Sequence, residues 1–355
     1  MNSKSVLLGM SGGADSSVAA MLLKEQGYVV TGVTFRMFDN DDQEPEFVAE
    51  AKALAKNLQI PHYVMDIREE FEQTVIHYFE NEYLAGRTPN PCVFCNNHIK
   101  WEYLAQKADE LGIAHLATGH YARIIKTNDK FFISRGKDPD KEQSFFLWDL
   151  PQKYLQRIVF PLGELNKTEV RKIAADRGFK KVSGKKDSMG ICFVPGDYRP
   201  FLEKRLVSKQ LLPGPGNFVS TTGEIIGRHK GYVYYTIGQR RGLGIHLNKA
   251  LYVTAIRPEA NEVVIGSQED LMTDRILLKD YHLVDSEIAL NTEIIVRIRY
   301  RKQATPATLH ILNEKYLEVK LSESIVREAA GQTATFYLND KVLGGGWIVD
   351  EMNEE

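Results

Sequence analysis

Cysteine is scarce in this chain, with three residues in 355. So small and odd a number excludes the disulfide framework of secreted domains and points to a reducing, cytoplasmic setting. No apolar run approaches the roughly 18 residues that a membrane-spanning helix needs. The chain opens directly on a strand pattern, so neither a membrane partner nor a targeting peptide is expected. Charge of one sign is missing too: 45 Lys and Arg stand against 47 Asp and Glu, a net charge of −2. Nothing global announces a nucleic-acid partner, although local basic stripes could still contact phosphates. Repeats and low-complexity tracts are absent. With 43% hydrophobic and 26% charged residues the composition is that of a globular protein, long enough for two or three domains.

What is present begins at once. A short apolar run ending at Gly9 and Met10 breaks into Ser11, Gly12, Gly13, Ala14, Asp15 and Ser16, then resumes with Val18, Met21 and Leu22 at helical spacing. Strand, glycine turn and helix N-terminus together aim backbone N–H groups at an anion. Gly12 and Gly13 allow close approach to phosphate oxygens, and Ser11 and Ser16 add hydroxyls. Asp15 is an anion in an anion site, which a divalent metal such as Mg²⁺ between it and the phosphates would explain. No Gly-Lys-Ser/Thr follows, so this is not a Walker A loop. The order SGGxDS resembles the PP-loop of ATP pyrophosphatases, which activate a substrate oxygen as an adenylate.

Further along, 28–35 and 62–67 read as strands, with helices over 47–58 and 69–84 between and after them. That βαβ rhythm predicts an α/β fold with a doubly wound parallel sheet and ligands at the strands' carboxyl ends. Pro89 and Pro91 forbid a helix within 86–96, and a helix through Trp101, Leu104, Ala105, Ala108 and Leu111 is expected after it. Cys95 would then sit near a helix N-terminus, with His98 and Lys100 nearby, and its pKa would fall below about 8.5. The strand from His115 delivers Thr118–Tyr121 to the PP-loop rim. Residues 126–140 read as a turn-rich connection, 167–177 and 198–208 as helices. After Pro213–Gly216 strands prevail: 232–237, 251–256 and 263–265 in a small β domain, then 293–301, 307–312, 316–321, 333–338 and 342–349 closing a barrel. The expected domains are 1–197, 198–270 and 271–355.

Cys92 and Cys95 form a single CxxC, and Cys192 stands alone. Half a zinc site, a redox pair and inert core thiols are all compatible with that spacing. Beside an adenylating loop, a thiolate or persulfide is a natural attacker of an activated carbon. Lys141, Lys180, Lys181, Lys185 and Lys186 suit a solvated face. In the strand from Val296, period two places Arg297, Arg299 and Arg301 on one face. Such a face suits a phosphate backbone or an ion-paired surface equally well. Arg240 and Arg241, within Tyr235–Gly244, are similarly ambiguous.

Taken in order, the landmarks Gly9–Ser17, Thr88–Pro91 with Cys95 and Asn96, Thr118–Tyr121, Gln143–Ser144, Gly190–Phe193, Tyr235–Gly242 and Leu343–Gly346 resemble the tRNA-specific 2-thiouridylases over the full length. The resemblance implies ATP-dependent adenylation of the C2 oxygen of a tRNA wobble uridine, followed by sulfur transfer. It implies acceptors of the Lys, Glu and Gln type and a sulfur-relay protein or cysteine desulfurase as partner. Cys192 would carry the persulfide and Cys95 would be the second thiol. Gly9 through Ser16, Met37 and Gly119 would contact ATP. Asn90, Pro91 and Cys92 would face the target base. His120, Lys141, Glu142, Gln143, Arg299, Tyr300 and Gln332 would meet tRNA. Many relatives carry an acid/base aspartate where this chain has Cys92, so Cys92 could share that work, or join Cys95 and Cys192 around an iron–sulfur cluster. The alternatives are a PP-loop ligase acting on a small molecule, which would release AMP without tRNA, and a non-catalytic RNA-binding protein that senses ATP.

Overall fold

The computed structural model describes residues 4–39, 43–179, 190–194, 196–245, 250–300 and 302–352. The expected lysine face at Lys180, Lys181, Lys185 and Lys186, and Arg301, lie outside the described residues. The chain divides into two compact units. The first comprises Met1–Val75, Cys92–Met189 and Leu338–Leu343, and the second Ile76–Pro91, Gly190–Tyr337 and Gly344–Glu355.

In the first unit a five-stranded sheet runs in the order His62–Asp66, Val29–Arg36, Ser5–Gly9, His115–Ala117, Ile158–Val159. Every pairing is parallel, as the βαβ spacing predicts. Val6, Leu7 and Leu8 of the central strand are fully buried, as is Val18 on the helix that follows. Runs buried on both faces mark a sheet covered by helices on either side. Order reverses at Ser5–Gly9, so the loop after this strand sits at the topological switch point where such sheets bind ligands.

Residues expected to form a turn-rich connection instead form a hairpin, Ala122–Thr127 with Lys130–Arg135. The turn residues Asn128 and Asp129 have φ of 47° and 63°, the left-handed pair that a two-residue hairpin turn demands. The polar turn is legible in the sequence, but the flanking strands are too short and mixed to stand out. The helix expected after Asn96 starts earlier, with Pro91–Cys95 continuing through a π-helical turn, Asn96–Lys100, into Trp101–Glu110. Pro91 opens it, because proline at the first helical position lacks only an N–H that would have no partner there. Cys92 and Cys95 therefore ride on the first turns of a helix rather than on a loop.

In the second unit, Tyr252–Arg257, Glu262–Gly266, Gly216–Ser220 and Ile225–His229 form a four-stranded sheet. Two of these, Gly216–Ser220 and Ile225–His229, carry too little apolar alternation to be read from sequence. The strand expected over 232–237 is a single 3-10 turn, Tyr232–Tyr234. Its β-branched and aromatic residues are strand-like in composition, but Tyr232 and Val233 are buried as core and the segment belongs to no sheet. Beyond it, Met272–Leu283, Tyr316–Val326, Lys302–Ile311, Ile294–Arg299, Thr333–Leu338 and Lys341–Val349 follow one another around a barrel, of which Leu338–Leu343 is grouped with the first unit. Pairing of Leu277 with Val349 and of Leu283 with Gly344 closes it and leaves no free edge. Met272–Leu283, the strand that makes the closure, is absent from the sequence-based expectation.

Candidate nucleotide site, thiols and basic surface

Between Gly9 and the helix Ala14–Glu25 the backbone turns through Gly12, whose φ is +68°. A Cβ there would run into the carbonyl oxygen of Phe47, so only glycine fits. Gly13 caps the helix without a side-chain hydrogen bond, leaving the first-turn amides to an anion. Inside the turn, Ser16 Oγ accepts from the Ser11 amide at 3.1 Å, contacts Ser11 Oγ at 3.2 Å and donates to the Gly13 carbonyl. The hydroxyls thus shape the loop first. Met10 is pinned through its amide to Val33 and through its carbonyl to Thr34. Met37 follows directly on the carboxyl end of Val29–Arg36, the same rim as the turn. Gly119 also has a spatial reason: a Cβ on it would lie 2.9 Å from the Asp15 carbonyl carbon and the Ser16 amide. The cradle fits a polyphosphate, with its floor closed to any side chain.

Asp15 is the hub of this site. Lys167 Nζ bonds both of its carboxylate oxygens, at 2.8 and 2.9 Å, and Tyr121 donates its hydroxyl to Oδ1 at 2.7 Å. Lys167 heads the helix Lys167–Asp176, which Asn166 and Glu169 fasten through a capping box. Its amide donates to Asp138 Oδ2 at 2.7 Å. Tyr121 is held in turn by Gln143, which accepts from the Tyr121 amide and donates its own amide to the Tyr121 carbonyl. Sequence reasoning singles out Asp15 and Gln143 but misses Lys167 and Asp138. A lysine opening a helix carries no motif by itself.

Several residues expected at a tRNA surface are engaged inside the protein. Glu142 is buried, accepts from the amide and hydroxyl of Ser144 and faces Arg135 at 3.6 Å. The Lys141 amide closes a turn on Asp138. His120 is buried, with Nδ1 2.7 Å from Thr118 Oγ1 and its ring stacked near Trp101. Burial, aided by the positive charge of Lys100, pushes its pKa down to about 3. In the second unit, the Gln332 amide nitrogen donates to the carbonyls of Thr88 and Pro89, each at 2.9 Å, and the Thr88 amide donates to Ala330. Gln332 therefore braces the loop leading to Asn90 and Pro91, both buried.

The thiols depart from expectation in one respect. Cys95 is buried, and desolvation raises its pKa despite the helix N-terminus and the opposing pull of Lys100. The expected lowering is overturned because removal from water outweighs the single ammonium of Lys100. Cys92 retains solvent-accessible surface while crowded by protein atoms, and that crowding raises its thiol as well. Cys192 is exposed, beside Phe193, whose ring packs 5.4 Å from both Phe79 and Phe201. The anchored aromatic holds the turn that carries this exposed residue. Cys95 belongs to the first unit and Cys192 to the second. Among the described residues no group of three His, Cys, Asp or Glu side chains is placed to hold a metal ion.

On the barrel, Val296 and Ile298 are buried and Arg297 and Arg299 share the opposite face, as period two predicts. Arg297 lies over the Tyr337 ring at 5.3 Å, and Arg299 is ion-paired with Glu328. Tyr300 is half-buried at the strand's end. Among the described residues no helix is long and apolar enough to cross a membrane.

A parallel α/β domain with a PP-loop-type glycine turn, followed by a small β domain and a closed β-barrel, is the class that fold and site define. Residues 4–196 match the tRNA methyl transferase HUP domain, 200–267 the tRNA methyl transferase PRC-barrel domain, and 273–348 the aminomethyltransferase beta-barrel domain. The chain is 51% identical to tRNA-specific 2-thiouridylase MnmA 2 of Phocaeicola vulgatus, over 97% of each chain. It is 49% identical to tRNA-specific 2-thiouridylase MnmA 1 of Bacteroides fragilis, again over 97% of each. Identity to tRNA-specific 2-thiouridylase MnmA of Cytophaga hutchinsonii is 42%, over 99% of this chain and 98% of that one. The chain belongs to the tRNA-specific 2-thiouridylase family, a PP-loop family whose members use ATP.

Proposed function

We propose that this protein converts the wobble uridine of tRNA to 2-thiouridine. The uridine C2 oxygen attacks the α-phosphorus of ATP, an O–P bond forms, and pyrophosphate leaves. The terminal sulfur of a Cys192 persulfide then attacks C2, and AMP departs with the oxygen. Cys95 next attacks the Cys192 sulfur and breaks its bond to the base sulfur. 2-Thiouridine is released, and a Cys95–Cys192 disulfide remains for an external thiol to reduce. This route needs two thiols only, which favours it over a three-cysteine cluster.

The observation that carries the reading is the convergence of Lys167, Tyr121 and Gly119 on Asp15 at the turn of a parallel sheet. Gly9 through Ser16, Met37 and Gly119 would cradle ATP. Asp15 would hold Mg²⁺, which would neutralise pyrophosphate charge. Asn90, Pro91 and Cys92 would face the base, with Lys141, Arg299 and Tyr300 as tRNA contacts. Glu142, Gln143, His120 and Gln332 would support those contacts from within. The protein would act in the cytoplasm as three domains, 1–197, 198–270 and 271–355, on tRNAs of the Lys, Glu and Gln type. Sulfur would come from a relay protein or cysteine desulfurase.

One incubation tests this reading: purified protein, ATP, Mg²⁺, tRNA and a persulfide source, assayed for 2-thiouridine, AMP and pyrophosphate. All three products should appear in equal amounts. ADP and phosphate instead, or AMP formed equally without tRNA, would refute it.

A further inference from the structure

The motif around Arg240 and Arg241 has no part in the chemistry above, yet it builds a pocket. Within the second unit a cavity of about 590 Å³ is lined by the turn Thr236–Arg241 together with Arg199, Arg299 and Glu328. Four arginines thus line one space with a single lining carboxylate, Glu328, while Arg199 also pairs with Asp197 at 3.3 Å.

The turn that carries Arg240 and Arg241 is fixed. Gln239 accepts from the Thr236 amide through its side-chain oxygen and donates its side-chain nitrogen to the Arg241 carbonyl at 2.9 Å. The Gly238 amide donates to the Val253 carbonyl, and the Val253 amide to Gln239. Gly238, at φ +82°, supplies the left-handed corner. Arg199 is held by its Nε to the Tyr234 carbonyl at 3.1 Å. The backbone is therefore organised before any ligand arrives, while Arg240, Arg241 and Arg299 remain exposed to solvent.

Glu328 is the informative member. It is the pocket's one carboxylate, its side chain is 11% exposed, and its Oε2 accepts from Arg299 Nε. Its Oε1 accepts from the Ala329 amide. A carboxylate bonded to Arg299 in an arginine-lined pocket holds a position a phosphate oxygen could take, since both accept from a guanidinium.

We infer that this pocket binds a backbone phosphodiester of the tRNA substrate, and that Glu328 stands in for that phosphate until RNA displaces it from Arg299. The inference rests on the proposed function for the identity of the RNA. Exposure of three of the four arginines suits a long polyanion passing over the surface rather than a small enclosed one.

The test is tRNA binding by the full-length protein between about 50 and 200 mM salt, for wild type, the double variant Arg240→Ala/Arg241→Ala, and Glu328→Gln. Loss of two phosphate contacts should lower the slope of log affinity against log salt by about two and weaken binding at least tenfold at low salt. Glu328→Gln frees Arg299 and should tighten binding severalfold with the slope preserved or steeper. ATP affinity should be unchanged in both variants, and melting temperatures should match wild type. Wild-type affinity and slope in the double variant would overturn the proposal, as would weaker or unaltered binding in Glu328→Gln. Loss of ATP affinity in the double variant would overturn it too, by assigning the pocket to the nucleotide. If wild type binds tRNA with these signatures yet forms no 2-thiouridine, the proposed function fails and the phosphate pocket stands.

Discussion

Lys167 Nζ lies 2.8 and 2.9 Å from the two carboxylate oxygens of Asp15, a pair separated by 152 residues of sequence. The ammonium keeps a carboxylate compatible with a phosphate-binding turn by cancelling its charge, and it stands where a phosphate oxygen could take it over. Lys167→Met should lower ATP-dependent pyrophosphate release by roughly 10- to 100-fold, the range expected for losing one charge-assisted hydrogen bond of about 1.5–3 kcal/mol. Lys167→Arg should rescue it poorly, because a planar fork does not replace a compact point charge. Unchanged pyrophosphate release in Lys167→Met would place this lysine outside the chemistry.

Gln332 should act on catalysis through the loop it braces. Its amide nitrogen satisfies two carbonyls immediately before Asn90 and Pro91. Gln332→Ala is expected to slow single-turnover thiolation at saturating tRNA while tRNA affinity stays within about twofold, since small positional errors weigh heavily on rate. Gln332→Glu should be worse, because a carboxylate would face two carbonyl oxygens. An affinity loss that fully accounts for the lost rate would make Gln332 a direct tRNA contact instead.

The buried His120 makes stability depend on pH in a defined direction. Its folded pKa of about 3 lies below the ordinary value of 6.5, so below pH 6.5 the unfolded chain binds a proton that the folded chain refuses. Stability from this group is whole above pH 6.5 and declines as pH falls towards 3. Between pH 7 and pH 5 the loss should be about 2 kcal/mol. Denaturant titrations of His120→Gln should show a correspondingly shallower dependence over that window. An identical pH slope in wild type and variant would be inconsistent with a neutral buried imidazole.

Burial raises the Cys95 thiol above its ordinary pKa, so little thiolate exists at neutral pH. Iodoacetamide should label exposed Cys192 well before Cys95, and Cys95 labelling should still be rising above about pH 9. Cys95→Ser and Cys192→Ser should each abolish 2-thiouridine formation while leaving ATP affinity intact. Faster labelling of Cys95 than of Cys192 at neutral pH would contradict the burial argument.

Much of this protein is written locally and is legible without coordinates. The glycine turn Ser11–Ser16, the parallel βαβ rhythm and the alternation of Val296 and Ile298 against Arg297 and Arg299 are short-range patterns, set by backbone sterics and by which face meets water. Proline at position 91 shows where local rules mislead. It forbids a helix interior yet suits a helix start, and only packing decides which applies. Distant pairings have no local signature at all. Lys167 meets Asp15, Gln332 meets Thr88 and Pro89, and Glu328 meets Arg299 because the sheet and barrel close, not because any motif says so. The Cys95 thiol is the plainest case. Sequence places it at a helix start and argues for a lowered pKa. Desolvation depends on every neighbour the fold brings around that sulfur, and in the folded chain the loss of water outweighs the pull of Lys100.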